Sequence, residues 1–155
     1  RKGKEELFAM LKENGFFEAP ASTKYHGAFP GGLAKHSVNV TKRLLEMKEA
    51  KNYNLETLMI CGLLHDVCKI DQYKKVGDCF VWDDSSLPLG HGEKSLYIIN
   101  QYINLTDEEA LAIRWHMGPY DDAGKSKALE KAFNSCELAV MLFIADMQAS
   151  KFDEG

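Results

Sequence analysis

The stretch Leu63-Leu64-His65-Asp66-Val67-Cys68-Lys69-Ile70 sets an imidazole and a carboxylate side by side in an otherwise apolar run. A buried carboxylate is costly unless something pairs with it, so other residues of the chain must meet this pair. There are five histidines: His26, His36, His65, His91 and His116. A second acid in an apolar setting is Asp146, which follows the eight apolar residues Leu138–Ala145. Two carboxylates in apolar helices and imidazoles from several elements make a shared donor set for a metal ion. Imidazole and carboxylate without thiolate suit Mn²⁺, Fe²⁺, Co²⁺ or Zn²⁺.

The elements that must carry these residues are helical almost throughout, by apolar periodicity. A first helix spans about Lys4 to Asn14, stopped by Gly15. A loop rich in Gly and Pro follows, and a second helix over about Leu33 to Lys51 holds His36 in its first turn. A third, capped by Asn54, reaches about Lys69 and carries His65 and Asp66. Tyr73–Val76 and Cys79–Trp82 flank Gly77-Asp78, a two-residue hairpin signal. Helix four, about Gly92 to Ile103, is opened by His91. Helix five, about Asp107 to His116, starts from a Thr106 cap with Glu109 three residues on. A last helix covers about Ser126 to Phe152. The expectation is one all-α domain over residues 1–155, a bundle of about six helices with a small β-hairpin insertion.

Composition narrows the function classes. The 155 residues suffice for one domain with a real core. Lys and Arg number 19 against 23 Asp and Glu, a net charge of −4, which disfavours a general nucleic-acid binder. A small anionic substrate met by a few local positive charges remains compatible. No apolar run reaches the ~18 residues of a membrane span. Four cysteines without CxxC spacing read as reduced thiols in a cytoplasmic protein. The numbering opens on Arg1 rather than Met, as expected of a trimmed chain or a fragment, so targeting information is not read from it.

The order His36 … His65-Asp66 … Asp146, with Phe29-Pro30-Gly31-Gly32-Leu33-Ala34-Lys35-His36-Ser37 before it and Ile144-Ala145-Asp146-Met147 closing it, resembles the HD-domain superfamily of metal-dependent phosphohydrolases. The resemblance covers about Phe29 to Lys151. It implies an all-helical bundle and a divalent-metal-dependent phosphohydrolase, a phosphomonoesterase or phosphodiesterase, acting on a nucleotide or another small phosphoester. The Phe29–Ser37 segment is similar to one in HD-domain exoribonucleases, but the nucleic-acid-binding domain of those enzymes is absent, so an RNA substrate is not favoured. Two further histidines between the His-Asp pair and the last Asp resemble the two-metal subgroup. By that carry-over His36, His65, Asp66 and Asp146 hold one ion, and His91 and His116 a second, with Asp66 bridging. The implied ions are two per chain, of Mn, Fe, Co, Ni or Zn. Two ions about 3.5–4 Å apart can clamp a phosphoryl group and activate water.

Asp66 and Lys69 are the candidate catalytic residues. On a continuing helix Lys69 shares a side with His65 and Asp66, where it could hold a phosphate; a solvated helix end is the alternative. His26, Arg43 and Trp115 join Lys69 as candidate substrate contacts. Against each stands a plain structural reading: a loop histidine, a surface salt bridge and a core aromatic. His91 could instead cap its helix, and His116 could meet a phosphate directly. Two other functions share the same residues, a mixed-valent di-iron oxygenase, known on this fold with the same ligand order, and a non-catalytic nucleotide sensor.

Overall fold

Apolar residues at helical spacing, with capped or glycine-terminated ends, account for most of the computed structural model, which describes residues 1–155. In order these are α1 (Lys4–Glu13), α2 (Gly32–Glu46), α3 (Leu55–Leu64), β1 (Tyr73–Val76), β2 (Cys79–Trp82), α4 (His91–Asn100), α5 (Asp107–Arg114), α6 (Lys127–Ser135) and α7 (Glu137–Gln148). Short 3-10 turns lie at Lys48–Asn52, Val67–Ile70 and Gly118–Tyr120, and a wider π-turn at Ala149–Asp153. The fold is helical with one small antiparallel hairpin, as expected. Local chemistry set several ends where it was anticipated. Asn54 accepts from the Thr57 amide, Thr106 and Glu109 form a complete capping box, and Gly15 follows α1 with φ +86°. The hairpin pairs Tyr73 with Trp82 and Val76 with Cys79 around Gly77-Asp78.

Several expected helices stop early, α4 at Asn100 rather than about Ile103 and α5 at Arg114 rather than His116 among them. Extended backbone at Met47 (φ −69°, ψ 140°) ends α2 at Glu46 rather than Lys51. α3 ends at Leu64, not Lys69, and gives way to the 3-10 turn. The long C-terminal helix breaks at Cys136 (φ −131°, ψ 99°), just after Asn134 and Ser135, whose side chains compete for backbone hydrogen bonds. The break separates two jobs. α6 packs Leu129 and Ala132 against Trp115, while α7 sends Leu138, Leu142 and Ala145 into the main core.

That core is built from buried residues of α1, α2, α3, α4, α5 and α7, including Leu33, Leu44, Ile99, Ile113, Leu138 and Leu142, all at 0% exposure. α7 packs on both α2 and α5, and α2 on α3. The α2–α3 approach is close because position 62 lacks a side chain. A Cβ on Gly62 would lie 2.3 Å from Thr41 Oγ1 and 2.8 Å from Thr41 Cα. No helix is long and apolar enough to cross a membrane. Gly62→Ala must push the two helices apart, so it is expected to cost about 1–3 kcal/mol, as overpacking does. A lowered thermal midpoint against wild type checks this; an unchanged midpoint refutes the close-approach argument.

Candidate metal centre

Two of the buried histidines are aimed by the ends of helices. The last carbonyls of a helix have no amide partner within it. His65 follows α3 directly, and its Nδ1 lies 2.9 Å from the Gly62 carbonyl oxygen. His116 follows α5 by two residues, and its Nδ1 lies 2.7 Å from the Ile113 carbonyl oxygen. Each Nδ1–H thus donates to a helix-end carbonyl three residues back, which fixes the tautomer and turns Nε2 inward, where the neutral ring carries its lone pair. His36, in the first turn of α2, has its Nδ1 held instead by the Glu154 carboxylate, at 2.9 and 3.1 Å.

The three Nε2 atoms meet the two acids. His36 Nε2 is 3.3 Å from His65 Nε2, 3.0 Å from Asp146 Oδ1 and 3.5 Å from Asp66 Oδ2. His65 Nε2 is 3.6 Å from Asp66 Oδ2 and 3.9 Å from Asp146 Oδ1. The other oxygen of Asp66, Oδ1, lies 3.0 Å from His116 Nε2. Donor atoms around one ion with ~2.1 Å bonds are separated by about 3.0–3.4 Å in octahedral or tetrahedral arrangements. The inward lone pairs, the mixed imidazole and carboxylate donors and these spacings therefore fit a divalent cation. The groups His36, His65 and Asp66, and His65, His116 and Asp146, each keep their donor atoms within 4.8 Å of one another.

Asp66 sits in bridge-region backbone (φ −107°, ψ 18°) between α3 and the Val67–Ile70 turn, a conformation common at functional sites. A 3-10 turn brings residues i and i+3 onto one line. Lys69 Nζ accordingly lies 3.2 Å from Asp66 Oδ2 and donates to the Ala21 carbonyl at 2.7 Å. Lys69 is buried here, not a solvated helix end. Burial disfavours the Asp66 charge, but the Lys69 ammonium and the His116 hydrogen bond outweigh it and hold the carboxyl well below its ordinary range. Burial pushes His65 down to about 4, so the ring is neutral. Burial also opposes charge on His36, yet Asp146 and Glu154 raise its pKa to about 10. Asp146, for which burial acts the other way, is lowered to about 2 by His36 and His65.

A family model described as "HD domain" matches residues 33–147. The chain belongs to the HD domain family. It is 34% identical over 67 residues to a dihydroneopterin 2',3'-cyclic phosphate phosphodiesterase of Methanocaldococcus jannaschii, a match covering 39% of this chain and 27% of that protein. No solved structure matches.

The remaining candidates of this HD domain fall in different places. His26 packs its ring against His36, centroids 4.8 Å apart, and its Nε2 is buried without a hydrogen-bond partner. A Ser22-centred turn holds it there: Ser22 Oγ donates to the His26 carbonyl at 2.7 Å and accepts from the Tyr25 amide. His91 stands outside the tight donor groups, its Nε2 3.1 Å from Gln72 Nε2, although Asp66 and His116 are among the charges it feels. Two substrate candidates are directed elsewhere. Arg43 makes a surface pair with Asp153 at 2.6 and 3.0 Å. Trp115 is buried against Leu129 and Ala132, with the Arg114 guanidinium 3.9 Å from its ring centre. Glu154 and Gln72 escaped the sequence reading, since neither stands in a motif or an apolar run.

Two of the cavities are lined by residues of the HD domain. The larger, ≈ 590 Å³, is walled by apolar side chains of α1, α2 and α3 such as Phe8, Leu11 and Met59, and it brings no ligating cluster together. The other, ≈ 550 Å³, has His91 in its wall with Gln72, Trp82, Met117, Tyr120 and Asp122. Of the candidate ligands, His91 is the one in the wall of this second cavity.

The raised His36 pKa sets a pH window. A group raised from 6.5 to about 10 on folding contributes stability that is complete below pH 6.5 and lost as pH rises through about 10. Chelator-stripped protein is expected to show a falling thermal midpoint across that window, a fall that His36→Gln lacks. Saturating divalent cation should flatten it, because the cation takes the place of the proton. A flat midpoint in stripped wild type contradicts this assignment. The lowered Asp146 acts at the acid end, its contribution complete above 3.8 and lost toward about 2.

Proposed function

We propose that this chain is a divalent-metal-dependent phosphohydrolase acting on a nucleotide or another small phosphoester. The observation that carries the reading is the meeting of His36, His65, Asp66 and Asp146 at ligand-to-ligand spacing, with every imidazole Nδ1 already occupied by an acceptor. In this reading those four residues hold one ion. The two oxygens of Asp66 face different partners, His36 and His65 on one side and His116 on the other. This supports a second ion, which Asp66, His116 and His91 would hold. Such ions supply Lewis acidity and lower the pKa of water to the neutral range. The chain's own residues do the rest. Lys69 keeps Asp66 ionised and fixes its orientation. Two of the three ammonium donors are used by Asp66 and Ala21, and the third is free to meet a substrate oxygen. His26, whose Nε2 has no hydrogen-bond partner and whose ring packs against His36, would donate or accept a proton at a bound phosphoryl oxygen.

The cavity beside His91 receives the part of the substrate that is not phosphate. Its charged lining residues are Glu93 and Asp121, both paired with Arg114, and Asp122, with no Lys or Arg in the wall, so it offers no cation to a second anionic group. Trp82 and Tyr120, 54% and 67% exposed, offer ring faces for a planar heterocycle. The relative's name is that of an enzyme acting on a 2',3'-cyclic phosphate, which supports including cyclic diesters among the substrates.

The test is phosphate or alcohol release from a panel of nucleoside monophosphates, linear diesters and 2',3'-cyclic phosphates, with Mn²⁺, Co²⁺, Ni²⁺, Zn²⁺ or anaerobic Fe²⁺. Turnover of at least one class is expected, and Asp146→Asn should lower kcat/KM by roughly a hundredfold or more, as loss of a ligand to a catalytic ion does. No turnover of any phosphoester by protein shown to be metal-loaded would sink the proposal.

A further inference from the structure

A histidine near the start of a helix cannot use the device that aims His65 and His116. The orphan groups at a helix N-terminus are amide donors, not carbonyl acceptors. His36 therefore needs an acceptor from elsewhere, and the chain supplies it 118 residues away. Glu154 places Oε1 2.9 Å and Oε2 3.1 Å from His36 Nδ1, and Asn39 Nδ2 donates to the same Oε2 at 3.1 Å. One turn further along α2, Arg43 grips the neighbouring Asp153 through both carboxylate oxygens and lies 5.8 Å from the Phe152 ring centre. His36, Asn39 and Arg43 follow at spacings of three and four, one line on a helix. The segment they hold leaves α7 by the π-turn Ala149–Asp153. Ser150 in that turn lies 3.4 Å from Asp146 Oδ1, so the turn touches the cluster at a second point. Glu154 has a side-chain exposure of 4%.

We propose that Glu154 is the positioning residue of His36, and that the Arg43–Asp153 pair is the latch that keeps it there. The carboxylate holds the imidazole with Nε2 toward Asp66 and Asp146 and makes that nitrogen a better donor to a cation. Arg43 acts through Glu154, by fixing the turn that carries it, and has no direct part at the cluster. The proposal takes from the preceding section the reading of the cluster as a metal site.

Two measurements on the full chain test it, neither requiring turnover. The first is the downfield imidazole N–H proton resonance of His36 by NMR, which a bond to a carboxylate shifts and protects. It is expected in wild type, lost in Glu154→Ala, moved upfield in Glu154→Gln and weakened in Arg43→Ala. The second is Mn²⁺ affinity by calorimetry, with thermal unfolding to confirm that each variant folds. Glu154→Ala should weaken Mn²⁺ binding about 10–100-fold, the usual effect of removing a carboxylate behind a ligating histidine. Glu154→Gln, which keeps an acceptor oxygen, should lose less. Arg43→Ala should weaken binding in the wild-type background and add nothing in Glu154→Ala. An unaltered His36 resonance in Glu154→Ala, or wild-type Mn²⁺ affinity in that folded variant, overturns the positioning role. An Arg43→Ala effect that persists in full without Glu154 overturns the latch. Protein that behaves as expected in both measurements but hydrolyses nothing refutes the hydrolase reading alone. Wild type that binds no divalent ion refutes the metal site, and the His36 resonance then decides whether the clamp exists.

Discussion

Three imidazole nitrogens and two carboxylates share one buried region, with His36 Nε2 and His65 Nε2 only 3.3 Å apart. Lone pairs and anionic oxygens at such spacing repel in a low-dielectric interior unless positive charge lies among them. In the protein alone that charge comes from the proton that His36 retains to high pH and from the Lys69 ammonium. A divalent cation meets the same requirement with more charge in less space. Proton and cation would thus answer the same electrostatic demand at one place.

The fold meets this constraint largely with helix ends. α3 and α5 stop where a histidine can turn back to a carbonyl of the last turn, so the helix end provides the orientation. Interruption of α3 at Asp66 matters as much. A continuing helix would keep Lys69 on the same side as Asp66 but offset around the axis, whereas the 3-10 turn eclipses the two. Gly62 joins fold and site. Its missing side chain allows α2 against α3, which brings His36 to His65, and its carbonyl orients the His65 ring.

Charge is divided unevenly over the molecule. Cations near the cluster are few and committed: Lys69 to Asp66 and Ala21, Lys94 to Asp71, Arg114 to Glu93 and Asp121. The neighbouring cavity is acidic and aromatic. The hairpin and the Gly118–Tyr120 turn contribute Trp82 and Tyr120 to the wall of that cavity. The apolar cavity under α1 stands apart from this division.

Much of the fold was legible in the sequence because its causes are local. Apolar spacing marked the helices, Asn54 and the Thr106–Glu109 pair marked two starts, and Gly77-Asp78 marked the hairpin. The isolated charges at Asp66 and Asp146 in apolar runs pointed to a shared partner, and the motif they form identified the family. What the tertiary structure alone decided depends on contacts between distant residues. Glu154 belongs to no pattern near its own position and gains a role only through His36, far away in the chain. Arg43 finds Asp153, Trp115 finds α6, and His91 rests on Gln72, each by packing that no local periodicity encodes. Helix breaks at Glu46, Leu64 and Cys136 were hidden for the same reason. Propensity there is a weak preference of a fraction of a kcal/mol per residue, and burial of the neighbouring side chains overrides it.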